Sequence, residues 1–239
     1  MTAMKIAAAS DVHGLWCGLD YPEADLLVFA GDIFGYYDRD QRRNAQDQLE
    51  ELNQFNLFLE TVKDKYKHVI CVAGNHDFVF KYHLGKAKNT LTNAIYLQDE
   101  AFTYAGYRIW GTPWQPYFGG WAFNFPDHYD NFFRARAHAR QKWDEIPDDT
   151  NILISHTPAR GTLDETARGQ NVGCEWLATR LEQLSELFVH VFGHIHAGYG
   201  NQMINGLLSA NVAICYSHNQ IKNPITLIEI DEDAIAKVI

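Results

Sequence analysis

Residues 68–78 read HVICVAGNHDF. An unbroken apolar run stops at a glycine and is followed at once by Asn75, His76 and Asp77. Continuous rather than alternating apolar residues are expected of a strand buried on both faces. Ligand-type residues just beyond its carboxyl end are expected where an α/β sheet carries a binding site. The figure recurs four times. KIAAAS runs into Asp11 and His13 of SDVHG, and LLVFAG into Asp32; NILIS runs into His156 of SHTP, and FVHVFG into His194 and His196 of GHIH. Each run closes on Ser or Gly, small residues that let the backbone approach an ion or a phosphate.

Taken singly, each element has an ordinary explanation. Asp11 or Asp32 suits a turn, Asn75 a helix cap, and His156 a satisfied core histidine. Together, the five run ends predict one shared metal site. Imidazoles, carboxylates and one amide oxygen suit a borderline divalent ion such as Mn, Fe, Zn or Ni. A carboxylate has two oxygens, so one Asp is able to bridge two ions, and two ions about 3.5–4 Å apart form the clamp used in phosphate chemistry. The His-x-His spacing of His194 and His196 allows the two imidazoles to serve different ions.

The rest of the chain predicts an α/β fold. Leu49, Leu52, Phe55, Leu59 and Val62 form a helical stripe in steps of three and four, and Trp176, Leu177, Leu181 and Leu184 form another. Ala105-Gly106 lies between β-branched and aromatic residues, and Asn205-Gly206 inside NQMINGLLSANVAICY; both predict hairpins. ITLIEI predicts a further strand. The Gly-, Pro- and aromatic-rich stretch from Gly111 to Asp130 reads as a long ordered loop. No repeat or linker is visible, so a single domain over 1–239 is expected.

Composition narrows the function classes. Hydrophobic residues make up 46% of the 239, enough for a sizeable core. The four cysteines, Cys17, Cys71, Cys174 and Cys215, form no C-x-x-C pair, which argues against a thiolate zinc site and fits a reducing compartment. After Lys5 only five uncharged residues precede Asp11, too few for a signal-peptide core, and no apolar run approaches a membrane span. A cytoplasmic protein with no membrane partner is expected. The formal net charge of -10 disfavours extended nucleic acid but not a small phosphoester drawn to bound metal.

The blocks DVH, GD, GNHD, SH and GHIH, in this order from Asp11 to His196, resemble the calcineurin-like metallophosphoesterase superfamily, whose pattern is D-x-H, G-D, G-N-H-D/E, H and G-H-x-H. GTPWQPYFGGWAFN, VGCEWL and the residues after GHIH are most similar to its branch of small metallophosphoesterase-domain phosphodiesterases. The resemblance implies a four-layer αββα sandwich of two mixed sheets flanked by helices. It also implies two divalent transition-metal ions, with Mn favoured. Asp11, His13 and His196 would hold the first and Asn75, His156 and His194 the second, with Asp32 bridging. A hydroxide between the ions would attack phosphorus in line, and His76 would act at the leaving oxygen. Asp77 has two readings, as a residue orienting His76 and as a helix-start residue.

The resemblance also has a departure. The protein-phosphatase branch carries a phosphate-gripping Arg after the second and third blocks, whereas GDIFGYYD and GNHDFVF have none, and Arg39 is the nearest. A phosphodiesterase acting on a small nucleotide or cyclic nucleotide is the leading reading. A phosphomonoesterase or nuclease comes next, ahead of a protein phosphatase or a non-catalytic binding module. Among the aromatics, Trp114 and Tyr117 are candidates to contact substrate, Phe118 is expected to pack under the loop, and Trp16 adjoins the first block. Arg160 reads equally well as substrate-facing or solvated. Oligomeric state is left open.

Overall fold

The computed structural model describes residues 3–35, 41–126, 128–216 and 220–239, with only the main chain for 128–132. Arg39 lies outside the described residues. In chain order the elements begin β1 (Met4–Ala9), β2 (Leu26–Ala30), α1 (Gln41–Val62), β3 (His68–Val72), α2 (Phe78–Tyr82) and α3 (Leu84–Thr90). Next come β4 (Ile95–Tyr96), β5 (Glu100–Tyr104), β6 (Tyr107–Thr112), α4 (His128–Asp144), β7 (Ile152–Ser155) and α5 (Glu175–Leu181). The last are β8 (Val189–Phe192), β9 (Gly200–Ile204), β10 (Leu207–Asn211), β11 (Thr226–Ile230) and β12 (Ala236–Val238).

The strands form two six-stranded sheets, ordered β12-β11-β1-β2-β3-β4 and β5-β6-β7-β8-β10-β9. In the first, β1 to β4 run parallel and β11 and β12 are antiparallel additions. In the second, β6, β7, β8 and β10 are parallel, while β5 and β9 join antiparallel through the Ala105-Gly106 and Asn205-Gly206 turns. Both hairpins are where the turn residues predict them. Ala105 and Asn205 have φ of 52°, each followed by a positive-φ Gly, the two-residue geometry that matches strand twist.

The unbroken apolar runs divide by parity into layers. On β2, Leu26, Val28 and Ala30 face the second sheet, while Leu27 and Phe29 face the helices. On β7, Ile152 and Ile154 join the inter-sheet core, and Leu153 packs with Trp143 of α4 and Leu177 of α5. Leu52, Phe55 and Leu59 of α1 cover the outer face of the first sheet. The result is helix, sheet, sheet, helix. Burying one such side chain is worth about 1.5–3 kcal/mol, and Ile154→Ala in the central layer is expected to cost about 2–5 kcal/mol.

Two expectations need adjustment, and the strand expected at ITLIEI is found as β11 with an alternating face. The second stripe is helical only to Leu181; Leu184 lies beyond α5 and packs in the same cluster. The long loop is shorter than read, because β6 takes Gly111 and Thr112 and α4 begins at His128. ITLIEI alternates, with Thr226, Ile228 and Ile230 buried and Leu227 and Glu229 half-buried. Among the described residues, no helix is long and apolar enough to cross a membrane.

Candidate metal centre

The carboxyl ends of β1, β2, β3, β7 and β8 converge. Beyond them the chain turns sharply, and Asp11, His13, Asp32 and His194 have φ of 53°, 43°, 51° and 66°. This left-handed region is uncommon for residues other than Gly, though Asp and His tolerate it better than most. Such strain persists where surrounding contacts over-determine it, and here they do. Asp11 N–H donates to the Gly31 carbonyl (2.9 Å), His13 N–H to that of Asp32 (3.1 Å) and Gly193 N–H to that of His156 (3.1 Å). His194 N–H donates to Asp11 Oδ2 at 2.8 Å. Gly74 and Gly193 lie so close to the carboxylates of Asp32 and Asp11 that a Cβ at either would strike them.

Three groups of ligand atoms result: Asp11, His13 and His196; Asp32, His156 and His194; and His13, Asp32 and His76. Asp32 belongs to the second and third groups, and its Oδ2 is 4.0 Å from Nε2 of His13, a member of the first, and 3.5 Å from His156 Nε2. Asn75 Oδ1 is 2.9 Å from His156 Nε2. His13 Nε2 is 3.3 Å from His196 Nε2, which is 3.2 Å from Asp11 Oδ1. His13 Nδ1 faces the Phe34 carbonyl at 3.3 Å and His156 Nδ1 that of Ala30 at 3.0 Å. A carbonyl only accepts, so Nδ1 carries a proton in each ring and Nε2 is the atom turned toward the cluster, the orientation that metal-ligating imidazoles use.

The electrostatics agree with that donor set. Burial pushes the Asp11 and Asp32 carboxyls up, but neighbouring imidazoles outweigh it and hold both well below the usual range: His196 chiefly at Asp11, His156 and His76 at Asp32. Burial lowers His13, takes His194 down to about 3 and His76 to about 4. At His156 and His196 burial is overcome by Asp32 and Asp11, and His156 is raised to about 9. Two ionised carboxylates sunk among mostly neutral imidazoles make a pocket that stabilises cations. These residues fit two divalent ions.

The structure brings together Asp11, His13, Asp32, Asn75, His76, His156, His194 and His196, six of them buried and His194 and His196 half-buried. Asp77 occupies the start of α2 without a side-chain capping bond. Its carboxylate accepts N–H groups of Ile33 (3.0 Å), Phe34 (3.1 Å) and Gly74 (2.7 Å), clamping the second block to the third. Burial, with Asp32 nearby, pushes it up to about 7.

The aromatics sort differently from expectation. Trp114 is turned into the fold: its Nε1–H donates to Asp99 at 2.9 Å and its ring stacks on Phe125 at 6.0 Å. Trp16 is buried against Phe34 and Phe55. Tyr117 is exposed at the rim of the loop, and Arg160 is exposed too. Phe118, expected to be packed, is 56% exposed and its ring centroid lies 6.3 Å from that of His194. Trp121, unassigned from sequence, lies 4.2 Å from the His76 ring.

Gln48 of α1 was also missed. Its Nε2 donates to the His76 carbonyl at 2.6 Å, and its Oε1 accepts Val79 N–H at 2.9 Å. Its signal is a polar residue four positions before Leu52, in line with an apolar stripe.

Comparison with known proteins matches this arrangement. The family model for calcineurin-like phosphoesterases matches residues 4–198. The human metallophosphoesterase domain-containing protein 1 is 33% identical over 250 residues, covering 95% of this chain and 71% of its own. A UPF0046 protein of Caenorhabditis elegans is 32% identical over 234 residues, covering 92% of this chain and 72% of its own. One solved structure shares the fold, with a TM-score of 0.64 at 15% identity, covering 100% of this chain and 99% of that one. With the model spanning most of its length and such relatives matching almost all of it, this chain belongs to the calcineurin-like phosphoesterase family.

Proposed function

We propose that the protein hydrolyses a phosphodiester of a small nucleotide or cyclic nucleotide at a two-ion centre. The observation that carries the reading is Asp32, buried with its carboxylate 4.0 Å from His13 of one ligand cluster and 3.5 Å from His156 of the other. Asp11, His13 and His196 would hold one ion and Asn75, His156 and His194 the other, with Asp32 able to reach both. Bound there, the ions would withdraw charge from the phosphoryl oxygens and lower the pKa of water. The manganese ion is the favoured occupant, with iron, zinc and nickel chemically compatible.

The chain's own residues supply the rest. Asp77 and Gln48 hold the GNHD turn in place. His76 is presented on that turn beside Asp32 and His13, with its ring near 5.1 Å from that of His13. As a neutral imidazole it has one N–H to direct at the departing oxygen. The absence of Arg from GDIFGYYD and GNHDFVF supports a diester over the more highly charged monoester, since phosphate forks are an arginine speciality. The net charge of -10 supports a small substrate.

The test is turnover of mono-, di- and cyclic phosphoesters by protein reconstituted with each metal, with metal content measured on the same sample. Diester turnover that vanishes on chelation supports the reading. Undiminished turnover by metal-free protein would overturn it.

A further inference from the structure

We propose that Phe118 and Trp121 form a wall that receives the organic group of the ester, and that this group is planar and aromatic, a nucleobase being one example. The inference rests on the phosphoester reading above. It starts from where the two rings stand. Trp121 lies against His76, with centroids 4.2 Å apart and planes at 51°. Phe118 faces His194 at 6.3 Å and 80°. The two rings meet each other edge to face at 5.3 Å and 90°. One wall therefore touches both a ligand of the second cluster and the imidazole assigned to the leaving oxygen. A phosphorus atom seated between the clusters would carry its departing group toward this corner.

The wall is built rather than draped. Ala122 N–H donates to the Asn75 carbonyl at 3.0 Å, tying the loop to the third block. The Phe118 carbonyl accepts Asn124 Nδ2–H at 3.0 Å and Trp121 N–H at 3.4 Å. The Gln41 amide donates to the Gly120 carbonyl, and Lys81 Nζ to that of Trp121 at 3.4 Å. Between the rings, Gly119 and Gly120 have φ of +61° and +66°, a reversal that residues with a Cβ adopt only under strain. A loop tied down by these bonds has less freedom to lose, which lowers the entropic cost of binding.

An isolated exposed Phe needs no explanation. A 56% exposed Phe on an anchored turn, above a buried polar cluster and at right angles to a Trp, has one. It offers an open ring face in a corner whose other side is already aromatic. Planar rings stack on such faces with little dependence on their substituents. Trp114 and Tyr117 do not share this position: the first is tied to Asp99 and Phe125, and the second is exposed at the rim.

The probes are phenylphosphonate and methylphosphonate, which share the anionic head and differ in the ring. Their binding to the manganese-loaded full chain is measured by calorimetry, alongside turnover of diphenyl and dimethyl phosphodiesters. The wild type is expected to bind the phenyl probe about 5- to 100-fold more tightly, the range of one aromatic stack. Phe118→Ala should bring the phenyl-to-methyl ratio close to one, and Phe118→Tyr should restore it. Trp121→Leu, checked for retained melting temperature and metal content, should lower the ratio in the same direction. Equal affinities in the wild type, or a phenyl preference intact in Phe118→Ala, would overturn the aromatic wall while leaving the phosphoester reading standing. Failure of the metal-loaded protein to bind either probe or turn over either diester would overturn both.

Discussion

The ligand cluster and the aromatic loop above it are built by opposite means. The cluster is assembled from five strand ends, and six of its eight groups are buried. The rings of His13 and His156 are oriented by the backbone carbonyls of Phe34 and Ala30. Among the described residues, the loop between β6 and α4 pairs with itself at the Gln115–Asn124 bridge and through bonds to the Phe118 carbonyl, and bonds to Asn75, Gln41 and Lys81 tie it to the rest of the fold. It leaves Tyr117 and Phe118 largely in solvent. The difference teaches where tolerance lies: the ligand-type residues sit in interlocked sheet ends, whereas the exposed rings of the loop have fewer packing partners to disturb.

Asp32→Ala is the sharpest way to break the cluster, because one carboxylate serves both sides. Loss of metal stabilisation worth several kcal/mol corresponds to a rate loss of about 10³-fold or more. Metal stoichiometry should fall below two, and two firmly held ions in this variant would remove Asp32 from the bridging position.

His76→Ala comes next and separates chemistry from metal binding. A hydrogen bond from the neutral imidazole to charge developing on the leaving oxygen is worth about 10²–10³ in rate. The loss should be larger for an alkoxide leaving group, on which that charge is concentrated, than for nitrophenolate, which spreads it over the ring, and both ions should be retained. Because His76 also shares a possible ligand group with His13 and Asp32, loss of an ion in this variant would make it a ligand.

Asp77→Ala probes the clamp between the second and third blocks. It strands three buried N–H groups, each worth about 1–3 kcal/mol when unsatisfied. A lower melting temperature and a rate loss of about 10- to 100-fold are expected, as for outer-shell partners of metal ligands. Asp77→Asn, which keeps acceptor oxygen, should recover part of both; identical behaviour of the two variants would count against the clamp.

His190 tests whether burial of an imidazole is by itself disruptive. It lies on β8, four residues before His194, fully buried with Nε2 2.8 Å from Ser155 Oγ. Burial lowers it from 6.5 to about 3. The unfolded chain therefore binds this proton below pH 6.5 and the native state does not until about pH 3. Its neutral form leaves stability full above pH 6.5, with loss as pH falls toward 3. His190→Gln should flatten stability against pH by about 1.4 kcal/mol per unit across that window. Chemical denaturation at pH 4, 5 and 6 measures the slope, and an unchanged slope would mean His190 is charged in the fold.

Trp114→Phe has the smallest expected effect. It removes the bond to Asp99, worth about 0.5–1.5 kcal/mol, and should leave the phenyl-to-methyl binding ratio of the aromatic wall unaltered. A collapse of that ratio would move the wall to Trp114.

Much of this protein is legible in one dimension because its signals are local. Apolar runs declare strands buried on both faces, Ala105-Gly106 and Asn205-Gly206 declare hairpins, and ligand-type residues immediately after five runs declare a common edge. Each needs only a few adjacent residues to be read. The ring environments are different. Trp114 and Trp121 sit in the same aromatic stretch, yet one packs on Phe125 and the other on His76. The Gly119-Gly120 reversal and the bond from Ala122 to Asn75 settle which is which. Likewise Asp77 could be read only as adjacent to His76, whereas its acceptors' partners, Ile33 and Phe34, lie on another strand end. Sequence by itself determined the strands, the ligand types and the order of the blocks, because backbone period and residue chemistry are short-range. Only the tertiary structure decided which side chains face the site, because that depends on contacts between segments more than forty positions apart.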